Sequence, residues 1–198
     1  MLAALTIFVS AALSVVPSAT ATTASHKRRH SRAHHVAKCP GADAHVGSAP
    51  RTLLESAVVC LVNQQRARRH LPLLQASSQL NRSAQGWTNV MVFSDQFTHG
   101  SNFASRITAV GYMWRTAGEN IATGYSTPRG VVNAWMASTG HCQNILNPTY
   151  RNVGTGVSNR PVEGWATGPG TWTQDFALGM NQSPPSSNVG PMDACPYN

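Results

Sequence analysis

The hydropathy of this chain changes period along its length, and that change constrains the fold more than any other feature. Apolar residues fall first at Leu53, Leu54, Ala57, Val58, Leu61 and Val62, the three-and-four spacing that lines one face of a helix. The pattern predicts a helix running to about His70, with Asn63, Gln64, Arg66 and Arg69 toward water and Pro72 as its stop. Leu80, Ala84, Trp87 and Met91 repeat the period behind Ser77 and Ser78, either of which suits an N-cap, and this second helix should end near Phe93. Thr127 before Pro128 starts a third, because a capping hydroxyl precedes a residue whose fixed φ suits the first turn. That helix carries Val131, Val132 and Trp135 inward and stops by Gly140. Thereafter the period becomes two: Trp172, Gln174, Phe176 and Leu178 alternate with Thr173, Asp175 and Ala177, which predicts a half-buried strand, and Asn152–Ser158 reads as another. Helices followed by closely spaced strands argue for an α+β fold with helices packed on an antiparallel sheet.

Between Ser94 and Tyr125 the periodicity fades. Gly100, Gly111, Gly118 and Gly124 punctuate the stretch, which reads as functional loop with a short helix over 103–110. At the N-terminus, Leu2 to Val16 is almost wholly apolar and leads through Pro17 to small residues ending at Ala21, the pattern of an export signal spanning 1–21. The run is shorter than the ~20 apolar residues of a spanning helix. Its lack of a basic start keeps an uncleaved anchor as the alternative, because the first positive charge is Lys27. Once the signal is removed, no transmembrane span is expected.

The formal net charge of +8 draws attention to nucleic acid, but most of it is local. Residues 26–38 hold Lys27, Arg28, Arg29, Arg32, Lys38 and four histidines with no acid, and 22–50 reads as a basic, disordered linker. From Cys39 onward ten arginines face seven acids, so the folded part demands no polyanion and no specific nucleic-acid partner is expected. The remaining stretch, 51–180, has the length of one domain expected as a monomer, and 181–198 reads as a Ser, Pro, Asn and Gly tail. Four cysteines behind an export signal imply two disulfides with three possible pairings. Cys39 lies just before the domain and Cys60 on its first helix, which favours Cys39 with Cys60 and leaves Cys142 for Cys195.

Three short segments place metal-capable side chains beside loop-forming residues: Phe97-Thr98-His99, Gly118-Glu119-Asn120-Ile121-Ala122, and Gly140-His141-Cys142-Gln143-Asn144-Ile145-Leu146. With Trp135, the Val153-Gly154-Thr155-Gly156 run and Trp172-Thr173-Gln174-Asp175-Phe176, they resemble in order the motifs of the CAP superfamily, the group of cysteine-rich secretory proteins, antigen 5 and pathogenesis-related proteins. The resemblance covers roughly Leu53 to Leu178 and is to the shorter bacterial form. It implies an α-β-α sandwich in which His99, Glu119 and His141 converge on a cleft with Ser138, Asn120 and Asn144 near them. It also implies ligands such as sterols, fatty acids or cell-envelope components, and a divalent metal. Where many eukaryotic members carry a second glutamate, this chain has Ser138.

Two imidazoles and one carboxylate make a first shell suited to Zn²⁺, with Mg²⁺ as the other divalent choice. Gaps of 20 and 22 residues mean that spacing alone does not bring the three side chains together. The competing reading is a hydrogen-bond network in which His99 and His141 donate to Glu119 and hold loops in place. Ser138 with His141 and Glu119 would form a nucleophile triad, but no strained Gly-x-Ser-x-Gly turn surrounds it and no catalytic residue is assigned. Three functions follow: an extracellular binding module for an envelope polymer or a lipid- or sterol-like ligand, a metal-assisted extracellular hydrolase, or a cell-wall-associated structural protein held by its basic tail.

Overall fold

The computed structural model of this chain describes residues 38–184 and 194–196. The expected export signal over 1–21, the basic stretch through residue 37 and tail residues 185–193 and 197–198 lie outside the described residues. The first element is α1 (Arg51–Ala67), followed by the two-residue strand β1 (Gln75–Ala76) and α2 (Ser78–Ser94). Ser77 caps α2 by accepting the Leu80 N–H at 3.4 Å. Helix α3 (Phe103–Ala109) is capped by Asn102, which accepts the Ser105 N–H at 3.2 Å. The expected Thr127-Pro128 start opens α4 (Pro128–Met136), with the Thr127 hydroxyl accepting from Gly130 N–H at 3.1 Å.

Two elements differ from the sequence expectation. The stretch read as loop contains the ten-residue strand β2 (Trp114–Thr123). Its Ala-Gly-Glu-Asn core has poor strand propensity, and residues 118–122 are buried without alternation, so no period of two shows. The third helix stops by Gly140 as expected, at Met136, but Gly140 itself lies inside an unforeseen helix α5 (Thr139–Leu146). Strands β3 (Asn152–Ser158) and β4 (Thr171–Gly179) stand where the sequence reading placed them, β4 by its alternation.

The sheet order is β1-β3-β4-β2, with β3 and β2 both antiparallel to β4. Against the all-antiparallel expectation the sheet is mixed, because β1 runs parallel to β3, held by Gln75 N–H to Arg151 O (2.8 Å) and Ser77 N–H to Val153 O (2.9 Å). Helices α2 and α3 pack on one face and α1, α4 and α5 on the other, giving the α-β-α layering. That arrangement explains why all nine residues of β4 are buried: it is a central strand covered on both sides, and its polar alternates Thr173 and Asp175 face α2 rather than water. The approach of α2 to β3 requires glycine. A Cβ at Gly154 would stand 2.1 Å from the Leu80 carbonyl carbon, and one at Gly156 would stand 2.4 Å from the Gln85 nitrogen.

Both disulfides pair as the sequence favoured, Cys39–Cys60 (Cα–Cα 5.6 Å) and Cys142–Cys195 (5.7 Å). The first belongs to a correction of the linker boundary. Residues 39–50 form turns that bury Ala42 and Val46, and Asp43 pairs with Arg129 on α4 at 2.7 Å. They are part of the fold.

Arg66 also departs from its expected water-facing place. It is fully buried, donating to the carbonyls of Pro72, Ile145 and Asn147, each at 2.8 Å. Its charge thereby meets the unsatisfied carbonyl end of α5, where the helix dipole is negative. Burial lowers its pKa to about 10, which leaves it charged at neutral pH.

Candidate functional site

Strand β2 lies at the sheet edge, and its consecutive residues Glu119 and Asn120 point to opposite faces. On the α2/α3 face the Glu119 side chain is fully buried, with one oxygen bonded to His99 Nδ1 at 2.8 Å and the other paired with Arg106 of α3. Arg106 also donates to the His99 carbonyl at 3.1 Å and lies over the Trp87 ring, 3.9 Å from its centroid. Trp87 in turn donates to Thr98 O at 2.9 Å. The segment 97–99 is therefore clamped by one guanidinium, one carboxylate and one indole.

Beneath this clamp sits Asp175, directly across the strand pair from Glu119. Neither of its carboxyl oxygens has a hydrogen-bond partner among the described residues, and neighbouring Ser83 Oγ is likewise unpaired. Burial, and then the charge of Glu119, push its pKa well above the usual carboxylate range, which disfavours the ionised form.

On the other face Asn144 donates to Glu119 O (3.1 Å) and to Asn120 Oδ1 (2.9 Å), while Asn120 donates to His141 O (3.2 Å). Trp135 Nε1 donates to Ile121 O at 3.2 Å. These side chains seal carbonyls along the outer edge of β2, which would otherwise offer itself to another strand. Asn120 and Asn144 thus tie down backbone carbonyls, and Trp135 and Trp172 are core.

A cleft of about 350 Å³ runs beside this sealed edge, between the segment around Phe97 and helices α4 and α5. Its aromatic wall includes Phe97, Tyr125 and Trp165; Trp165 is 60% exposed, and its ring centroid lies 5.7 Å from that of Phe97. Ser138 and His141 line the opposite side, and among the described residues neither side chain bonds to the protein. Burial, and then the proximity of His99, lower the His141 pKa and favour the neutral ring.

The three motif residues thus share one neighbourhood without forming the expected first shell. Both Glu119 oxygens are engaged, one by His99 and the other by the Arg106 guanidinium, whose positive charge disfavours a dication on that carboxylate. Among the described residues no group of three or more His, Cys, Asp or Glu side chains is arranged to hold a metal ion. The residues as arranged do not fit a divalent metal. The triad fares no better, because Glu119 orients His99 rather than His141, and Ser138 has no hydrogen bond to either.

Sequence reasoning passed over Arg106, Asp175, Tyr125 and Trp165. Arg106 carried one legible signal: it sits on a short helix with no acid within four residues, so a partner had to come from elsewhere. Trp165, an aromatic in a Gly- and Pro-rich segment, carried another.

The profile of the cysteine-rich secretory protein family, CAP, matches residues 59–176. Among curated proteins the chain is 39% identical over 136 residues to the uncharacterized protein YkwD of Bacillus subtilis, a match spanning 65% of this chain and 49% of YkwD. Among solved structures it is similar to an extracellular protein containing a SCP domain from Bacillus anthracis (27% identity, TM-score 0.57), covering 64% of this chain and 41% of that one. It shares its fold with an outer surface protein of Borrelia burgdorferi (19% identity, TM-score 0.55, 62% and 90% covered). The chain therefore spans about half or less of the two Bacillus proteins. With the ordered motifs, the layered sheet and the family profile in agreement, this chain belongs to the CAP family.

Proposed function

We propose that the protein is an extracellular binding module that holds a cell-envelope ligand in the cleft beside β2. The observation that carries this reading is the cleft itself: exposed aromatic rings share it with two polar side chains that have no protein partner among the described residues. A surface with that composition recognises a ligand without needing to transform it. The Glu119 clamp supports the same reading, because a carboxylate locked between His99 and Arg106 is suited to fixing the Phe97 wall and poorly suited to proton transfer. Two disulfides, the apolar N-terminal run and the extracellular SCP-domain relative favour a place outside the cell. Among the described residues no helix is long and apolar enough to cross a membrane.

Cosedimentation of the purified chain with isolated bacterial cell envelopes tests the proposal. Wild type should pellet at moderate salt, and Trp165→Ala should stay in the supernatant with unchanged circular dichroism. Equal pelleting of both, abolished by salt alone, would assign binding to the basic N-terminal segment instead.

A further inference from the structure

The cleft's chemistry narrows what it can hold. Among the described residues that line it none is Asp, Glu, Lys or Arg, so this lining offers an ionic ligand no countercharge. Its aromatic wall is open: Trp165 is 60% and Tyr125 37% exposed. An alkyl chain laid on such a surface keeps much of its area in water and gains little, since hydrophobic stabilisation scales with the area removed from water. A ligand with one apolar face and a hydroxylated rim gains on both sides. An extended peptide is disfavoured for a different reason, because Trp135 and Asn144 already occupy the Ile121 and Glu119 carbonyls that would begin a strand ladder.

Resting on the binding reading above, we infer that the cleft takes a short uncharged segment of a sugar polymer, with pyranose faces stacked on Trp165 and Tyr125 and ring hydroxyls bonded to Ser138 Oγ and the His141 ring. The C–H face of a sugar ring carries partial positive charge and meets the negative face of an aromatic ring. Ser138 supplies a donor and an acceptor, and the neutral His141 ring supplies one of each. A volume of about 350 Å³ holds a segment of a polymer rather than a long stretch of it. The loop that carries Trp165 is tied at the cleft's end, with Val162 N–H bonded to Thr123 Oγ1 at 3.0 Å and Glu163 N–H to Asp95 Oδ1 at 3.3 Å. That anchoring presents the indole ready for contact and limits the ordering cost of binding.

Titration of the purified chain with the β-1,4-linked tetramers of N-acetylglucosamine and of glucose, and separately with palmitate, tests this inference by calorimetry and tryptophan fluorescence. At least one tetramer should bind and perturb the fluorescence. Trp165→Ala should weaken it about tenfold and Ser138→Ala several-fold, while palmitate neither binds in the cleft nor competes. Absence of binding to both tetramers, binding indifferent to Trp165→Ala and Tyr125→Ala, or competition by palmitate would overturn it. Envelope cosedimentation separates this failure from that of the broader reading. If Trp165→Ala abolishes pelleting while neither tetramer binds, the sugar assignment falls and the binding module stands.

Discussion

Arg106→Met is the most informative single substitution, because it removes a charge while leaving most of the side chain's apolar stem. In the native protein the Arg106 side chain is 19% exposed and its partner Glu119 is 0% exposed. Removing the guanidinium leaves a buried carboxylate beside Asp175 without its charge partner, while the His99 imidazole still bonds it. Breaking one half of a buried pair costs about 3–5 kcal/mol. The lower end applies here, because Arg106 is partly hydrated and His99 remains as a partner. A loss of about 3 kcal/mol corresponds to a fall in Tm of about 6–12 °C for a domain of this size. Urea unfolding of the wild type, Arg106→Met, Glu119→Gln and the double variant supplies the cycle. The double variant should be markedly more stable than the sum of the singles predicts, since neither partner is then left as an unpaired buried charge. The same series reads out zinc affinity: wild type should bind none at His99, and Arg106→Met should gain weak binding that His99→Ala removes. Strictly additive losses, a loss below about 1 kcal/mol, or zinc bound by wild type and lost in His99→Ala would refute this account of the clamp.

Asp175→Asn should stabilise the protein at neutral pH, because burial and the Glu119 charge disfavour the ionised acid in the folded state. The folded pKa of Asp175 is raised, so its contribution is fully present below the unfolded value near 3.8 and is lost as pH rises through the folded pKa. The advantage of Asn should therefore vanish in acid, as thermal unfolding across pH will report. Arg66→Met leaves the Pro72, Ile145 and Asn147 carbonyls without their donor and should cost at least about 3 kcal/mol in urea unfolding, with α5 the first region to lose amide protection. By loop entropy the Cys142–Cys195 bridge, at separation 53, contributes about 4 kcal/mol and the Cys39–Cys60 bridge, at separation 21, about 3 kcal/mol. Paired alanine substitutions should reproduce that order of midpoints.

The helices were legible because burial on one side leaves a period in the sequence. Leu54, Val58, Leu61 and Val62 are core residues of α1, and Ser77 and Thr127 cap the helices they precede. Strand β2 was not legible, since Gly118, Glu119 and Asn120 are kept for close contacts and hydrogen bonds rather than for strand propensity. A Cβ at Gly118, for instance, would stand 2.4 Å from the Tyr150 hydroxyl. Strand β4 showed its alternation but not its depth: Thr173 and Asp175 look outward-facing in a sequence and are buried once α2 covers them. The site divides the same way. Its motif residues His99, Glu119 and His141 stood out by type, whereas Arg106, which determines what Glu119 can do, is an ordinary arginine until the fold brings α3 against β2. Partners supplied across the sheet carry no local signal.

The claim that the cleft beside β2 is where this protein meets its ligand is tested most directly by amide NMR of the ¹⁵N-labelled chain titrated with solubilised, neutral envelope oligosaccharide. Saturable shifts should gather at Phe97, Tyr125, Ser138, His141 and Trp165. Shifts centred instead on the polar groove between α1 and α2, at Arg51, Asn81, Arg82 and Asn89, would contradict the account.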